Sequence, residues 1–362
     1  MARKEMNLAI LGYGGMGYWH AQHATKVEGV NLIGSYDINP HAYDDSPHIP
    51  VYESEDALFN DPKVNTILLT VPNHLHKEYA IKAARCGKNV LCEKPAALNV
   101  ADFDEMVAEA KKNNVLFTVH QNRRWDRDFN MVRKLYQDGT LGEVFNIEST
   151  LCSPNGTVHN WHRFPEFGGG MLYDWGVHLV DQILMMIPKK LVSVYADMKS
   201  VHNPLVDDFF RVVLKFEDGQ SATIMQSTFI LKAAPRWLVC GSKGTAVINT
   251  FACDGEVYTT SELVTKLPPR IVENPAGPTR SFLPTPPGKI LVGPLPEVET
   301  DWCDFYRNYV AVMNGEAEFV VQPEQVRRVL AVLQACFESA KTMQSVPFTY
   351  DQNHEIVVTD IY

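Results

Sequence analysis

No apolar run in this chain approaches the ~20 residues needed to span a bilayer, so no membrane helix is expected. Positive charge is in deficit. A formal net charge of −10 argues against nucleic acid or an anionic membrane surface as the main partner. Cysteine is sparse: Cys86, Cys92, Cys152, Cys240, Cys253, Cys303 and Cys336 are odd in number and form no C-x-x-C pair. Reduced thiols packed as small apolar groups are expected, rather than a disulfide framework or a zinc site. Histidine occurs in the close pairs His20/His23, His74/His76 and His159/His162, but no H-E-x-x-H or carboxylate-rich cluster accompanies them, so no metal is expected. Met1–Asn7 leads into a strand rather than an apolar stretch with a small-residue cleavage site. No export signal is read there, and a cytoplasmic location is expected. There is no internal repeat.

What is present is a change of rhythm. The 362 residues suffice for two domains. Asn7–Leu11, Val30–Tyr36, Thr66–Val71, Asn89–Cys92 and Val115–His120 read as short buried strands. Helical segments separate them: one after Gly12–Gly17 through about Val27, then Lys77–Arg85 and Ala101–Asn113. That alternation implies right-handed crossovers and a parallel sheet. After a helix over Asp126–Gln137 come long alternating runs at Val144–Leu151, Val192–Lys199, Phe209–Phe216, Ser221–Ile230 and Ala246–Asn249. Their close spacing and turns such as Glu217-Asp218-Gly219 suggest a large, mainly antiparallel sheet. The expected fold is therefore α/β: a doubly wound parallel unit over 1–122, then an α+β domain over 123–362. Residues 267–296 hold nine of the chain's 22 prolines and read as an extended arm along the surface or over the cleft. Thr300–Asn314 and Pro323–Met343 read as amphipathic helices.

Three motifs carry the chemistry. The first is Gly12-Tyr13-Gly14-Gly15-Met16-Gly17 between a strand and a helix, with Asp37 ending the next strand. Gly12 permits the tight turn, Gly14 lets backbone approach a pyrophosphate, and Gly17 lets helix and sheet close up. The helix N-terminus offers free N–H groups to phosphate. Asp37 accepts hydrogen bonds from ribose hydroxyls and repels a 2′-phosphate, which favours NAD over NADP. Val71, Pro72, Asn73 and His76 follow the third strand, at the strand ends where ligands sit in open α/β sheets. Asn73 either faces the cofactor, caps the next helix, or does both.

The second motif is Glu93-Lys94-Pro95. Lys94 projects from a strand end, where its cation can stabilise an alkoxide as hydride leaves. The third is Gly168-Gly169-Gly170 leading to Asp174 and His178. On a helix these two share a face, so the carboxylate would orient the imidazole and raise its basicity. The triple glycine would allow close approach by a ligand.

These ordered motifs, GYGGMG at 12–17, EKP at 93–95 and G-G-G-x-L-x-D-x-G-x-H at 168–178, resemble the Gfo/Idh/MocA family of sugar and cyclitol oxidoreductases over nearly the whole chain. The resemblance implies a Rossmann domain followed by an α/β domain with a large open sheet, usually assembled as homo-oligomers. It implies that Lys94 contacts substrate and nicotinamide. His178 would be the acid/base, with Asp174 its companion or a substrate ligand. Glu93 would lie beside the nicotinamide ribose, Gln121 near the cofactor, and Pro95 after a cis bond. Substrate would be held near Arg123, Arg124 and Trp125, and near Trp161, His162 and Arg163. The expected activity is NAD-dependent hydride transfer at a secondary hydroxyl of a sugar, cyclitol or glycoside, glucoside C3 being one case. A redox-neutral, NAD-dependent glycosidase would use the same residues. A nonenzymatic sugar sensor is the reading of a different class.

Overall fold

The computed structural model describes residues 3–44, 49–154, 158–260, 271–280 and 288–350. Strands β1 (Met6–Leu11), β2 (Val30–Tyr36), β3 (Thr66–Leu69), β4 (Asn89–Cys92) and β5 (Phe117–Val119) form one parallel sheet in the order β2-β1-β3-β4-β5. Their runs are apolar because helices cover both faces. Ile10, Leu68, Leu69, Val90 and Leu91 are all buried. The crossovers are α1 (Gly15–Ala24), α2 (Glu55–Asn60), α3 (His76–Arg85) and α4 (Val100–Lys112). Strand addition changes direction between β1 and β3, β2 lying on one side and β3 to β5 on the other, which opens a crevice at their C-terminal ends.

After α5 (Arg127–Gln137) the second sheet begins. It comprises β6 (Val144–Cys152), β7 (Leu191–Lys199), β8 (Phe209–Phe216), β9 (Ser221–Ser227), β10 (Trp237–Gly241), β11 (Gly244–Ile248) and β12 (Gly255–Thr260). Two later strands join it at the edges. Apart from the parallel β6–β9 pair the ladder is antiparallel. Strand β8 shows the physical logic: Phe210, Val212, Leu214 and Phe216 are buried while Arg211 and Lys215 face solvent. The sheet's inner face packs through β9 on α6 (Val177–Met186) and through β7 on a long C-terminal helix.

The expected arm is only partly an arm. Residues 271–280 form a small hairpin, β13 (Ile271–Asn274) with β14 (Gly277–Arg280), and β15 (Ile290–Gly293) is an edge strand on β12. Proline tolerates an edge position, where its missing N–H is not needed. The remainder, 267–270 and 281–287, lies outside the described residues. Helices α7 (Asp304–Met313) and α8 (Pro323–Thr342) then return to the first sheet, and β16 (Val346–Pro347) closes the far edge of the second. Arg327 on α8 forks onto Asp104 on α4 at 2.8 and 3.0 Å, so α8 ties the two sheets together. Among the described residues no helix is long and apolar enough to cross a membrane.

One expected helix is built differently. Leu172–Ile187 starts as a π-helical turn, Leu172–Gly176, before α6 continues to Met186. Such single wide turns are frequent at functional sites. Here the turn sets the direction of Asp174.

Candidate active site

The glycine loop does three different things. Gly12 has φ +92°, and a Cβ there would lie 2.8 Å from the Thr70 carbonyl oxygen. Gly17 lies so close to Gly12 that a Cβ would reach 2.3 Å from the Gly12 oxygen. Gly14 and Gly15 face open space instead. No side chain caps the start of α1 and no acid sits in its first turn, so its N–H groups are left for an anion. Beside this loop is a cleft of about 480 Å³ lined by Tyr13, Gly14, Gly15, Tyr18, Asp37 and Asn39. Asp37 accepts the Tyr13 N–H at 2.5 Å and the Asn39 N–H at 2.7 Å. Both donors are backbone, and carboxylate lone pairs remain for ribose hydroxyls. Tyr13 is buried with its ring stacked on Tyr43 at 5.0 Å, while Met16 is exposed at the helix start. At the far end of the crevice Gln121 is wholly buried, and neither amide atom has a partner among the described residues. An open pyrophosphate cradle, a ribose carboxylate and an orphaned amide together fit a dinucleotide.

The candidate reacting groups meet where β4 ends. The Lys94–Pro95 bond is cis. Lys94 Nζ donates to Asp174 Oδ1 at 2.7 Å and to the Asp174 carbonyl at 2.9 Å. Burial opposes the Asp174 charge, but Lys94, His162 and Arg123 together hold its carboxyl below the usual range. His178 is buried, and burial, then Lys94, then Arg123, push its imidazole well below the ordinary histidine range. It is therefore neutral near pH 7 and able to accept a proton. His162 Nε2 lies 4.0 Å from Asp174, with Trp161 stacked flat on its ring at 3.7 Å. Arg123 stacks over Trp175 at 4.3 Å, and Trp175 meets His178 edge-on at 6.0 Å. Arg163 is exposed.

Several expectations need correction. Asp174 and His178 do not form a pair. The carboxylate is engaged by Lys94, and His178 Nδ1 has no partner among the described residues. The cause is the wide π-turn, which breaks the spacing that puts residues four apart on one face. Arg124 cannot hold substrate. It is 1% exposed, forks onto Asp181 at 2.6 and 2.8 Å, and also donates to the Val320 carbonyl and Gln325. Trp125 is equally buried, edge-on to Phe305. Of the three neighbours, only Arg123 reaches the chamber.

The triple glycine admits protein, not ligand. A Cβ on Gly168 would strike Leu98, on Gly169 the His162 carbonyl, and on Gly170 the Asp207 carboxylate. Asn73 gives its amide to the Gly168 carbonyl at 2.9 Å. His76 lies between the carbonyls of Pro95 and Val71, 2.9 and 3.0 Å from its two ring nitrogens, and as a neutral ring donates to one of them. Both residues brace the loops around the cofactor crevice. Val71 and Pro72, just before Asn73, are half-buried.

Three features escaped the sequence. Asp207 accepts the Leu172 N–H at 2.8 Å and so anchors the turn carrying Asp174. Burial pushes its carboxyl up to about 7. Trp175 lay inside a recognised motif without an assigned role. The third is a cluster of His20, Glu93 and His120, whose ligand atoms all lie within 4.8 Å of one another. Local spacing had paired His20 with His23. Only the sheet brings His20 to His120, and no short motif could signal it.

This architecture, a parallel sheet with a dinucleotide cradle joined to a large open sheet, with Lys94 at the end of β4 facing Asp174 and His178 on the π-turn and α6, is that of a two-part nicotinamide oxidoreductase. A family model for an oxidoreductase family with an NAD-binding Rossmann fold matches residues 6–121, and one for the GFO/IDH/MocA C-terminal domain matches 129–247. The chain belongs to the GFO/IDH/MocA family of oxidoreductases. A crystal structure described as an NAD-binding protein from Listeria innocua superposes with a TM-score of 0.87 at 35% identity, covering 95% of this chain and all of that one. The myo-inositol 2-dehydrogenase of Thermotoga maritima is 27% identical over 66% of this chain and 74% of its own. The NADP-linked scyllo-inositol 2-dehydrogenase of Bacillus subtilis is 24% identical over 83% and 84%.

Proposed function

We propose that this oxidoreductase oxidises a secondary hydroxyl of a sugar, cyclitol or glycoside, with NAD as its cofactor. The carrying observation is one ammonium and one neutral imidazole in a shared, half-closed chamber. Lys94 Nζ is held on Asp174 at 2.7 Å, and buried His178 has no competing partner on Nδ1. The bound nicotinamide supplies the hydride acceptor. Lys94 polarises the hydroxyl oxygen and steadies its developing negative charge. His178 takes the hydroxyl proton. Asp174 fixes the ammonium and offers an acceptor to a neighbouring hydroxyl. Arg123, Trp161, His162 and Trp175 supply the planar and forked surfaces that suit polyhydroxylated rings.

Gly12, Gly14 and Gly17 shape the phosphate cradle, and Asp37 holds the ribose. Its carboxylate would face a 2′-phosphate with like charge, which supports NAD over NADP even though one relative is NADP-linked. The inositol dehydrogenases among its relatives support a cyclitol or closely similar ring as substrate.

The test is nicotinamide fluorescence of the protein with NAD during titration with inositols, free sugars and aryl glucosides. A rise with one class is expected, and should be lost in Lys94→Ala and His178→Ala while NAD affinity stays within about threefold. Unchanged turnover in both variants would overturn the assignment. Aglycone release without any rise would establish the redox-neutral glycosidase instead.

A further inference from the structure

Glu93 is a carboxylate in an expensive place. It is 5% exposed at the end of β4, directly before the catalytic lysine. A buried charge persists only when donors surround it. Three do. Lys94 N–H donates to Oε2 at 3.0 Å. His20 Nε2 and His120 Nδ1 both donate to Oε1, at 2.8 and 2.7 Å.

The proton positions follow from the chain of partners. The Tyr306 hydroxyl donates to His20 Nδ1, so His20 carries its own proton on Nε2. His120 Nε2 is buried among Phe305, Trp19 and Tyr306 and has no acceptor among the described residues for a second N–H. Its proton therefore sits on Nδ1, facing Glu93. Burial acts against the Glu93 charge, yet His120 and His20 hold its carboxyl well below the usual range. The cluster thus contributes one fixed negative charge. Its field reaches the reacting groups: at His178 it opposes the effect of Lys94 and Arg123.

The oxidised nicotinamide ring carries a positive charge that the reduced ring lacks. A fixed anion nearby stabilises the oxidised form selectively, because only that form has charge to respond. We propose that Glu93 sets the preference of this site for oxidised over reduced nicotinamide, with His20, His120 and Tyr306 as the positioning residues that keep it in place. This rests on the dehydrogenase reading above.

The experiment compares affinities of the full-length protein for NAD+, NADH and ADP-ribose, which lacks the nicotinamide. In Glu93→Gln, ADP-ribose binding should stay within about twofold, while the NAD+ to NADH affinity ratio falls about tenfold. Glu93→Asp keeps the charge and should recover most of that ratio. Parallel changes for NAD+ and NADH in Glu93→Gln, or equal shifts in the Gln and Asp variants, would overturn the proposal. If Glu93→Gln no longer binds ADP-ribose, His120→Phe takes its place. Removing that donor should move the ratio the same way by about threefold, and an unmoved ratio would again overturn it. A wild-type protein that binds none of the three would count against the dehydrogenase reading instead.

Discussion

Adjacent residues in this chain can have opposite fates. Arg123 and Arg124 share a short 3-10 turn, Asn122–Trp125, yet one guanidinium lies over Trp175 and the other is sealed against Asp181. Their alanine variants should therefore separate. Arg123→Ala is expected to lower kcat/KM at least about tenfold, since it removes a cation from the chamber wall, and to cost about 1–2 kcal/mol of stability, since Asp126 loses its ion pair at 2.9 Å but keeps the Trp302 indole N–H. Arg124→Ala leaves the Asp181 charge buried and unpaired, and should cost about 3–5 kcal/mol of stability. Steady-state kinetics and denaturant melts on the two variants check this, and a swapped pattern would refute the placement. A dipeptide of two arginines marks a site well but does not say which of the two faces it.

At the scale of elements, the segment carrying Asp174 depends on contacts from loops distant in sequence. The turn Leu172–Gly176 begins under Asp207 and is packed through Gly170, whose φ of +99° a side chain would rarely adopt. Gly170→Ala adds that strain to a clash with the Asp207 carboxylate and should destabilise by about 2 kcal/mol or more. Asp207→Ala leaves the Leu172 N–H without its acceptor, and should cost about 1 kcal/mol and lower kcat more than it raises KM. Thermal melts and kinetics are the measurements, and a kcat unaffected by Asp207→Ala would remove Asp207 from the positioning of Asp174. The same elements show the reach and the limit of periodicity. Strands β2, β4 and β8 were legible residue for residue, because each alternates or runs apolar between turn signals. Strands β10, β12 and β15 were not. Their short, mixed sequences are held in place by cross-strand partners rather than by a pattern of their own.

For the molecule as a whole, buried histidines give stability a pH dependence. Burial holds His20 down to about 4, and lowers His76 and His178 as well. An unfolded chain would protonate all three near pH 6.5, whereas the folded chain resists, so the unfolded state binds more protons as pH falls. Stability should therefore decline from about pH 6.5 downward, through the window that ends near 4 for His20. Asp207, pushed up to about 7, works the other way: its contribution is lost as pH rises from its unfolded value toward 7. Three histidines against this aspartate leave a net loss on acidification, on the order of 1 kcal/mol per pH unit. Urea unfolding at pH 7.5 and 5.5 measures it, and equal stability at both would contradict the burial of these rings as neutral groups.

The sequence by itself determined the alternation of strand and helix, the glycine turn with Asp37 beside it, and the three motifs that line the candidate site. Each is written in residues close along the chain, where backbone geometry and local periodicity act. Only the tertiary structure decided the partners. Lys94 rather than His178 takes Asp174, His120 rather than His23 joins His20, and the glycine run is filled by Asn73, Leu98 and Asp207. These pairings depend on how a wide helical turn and two sheets meet in space, and no spacing along the chain encodes that distance.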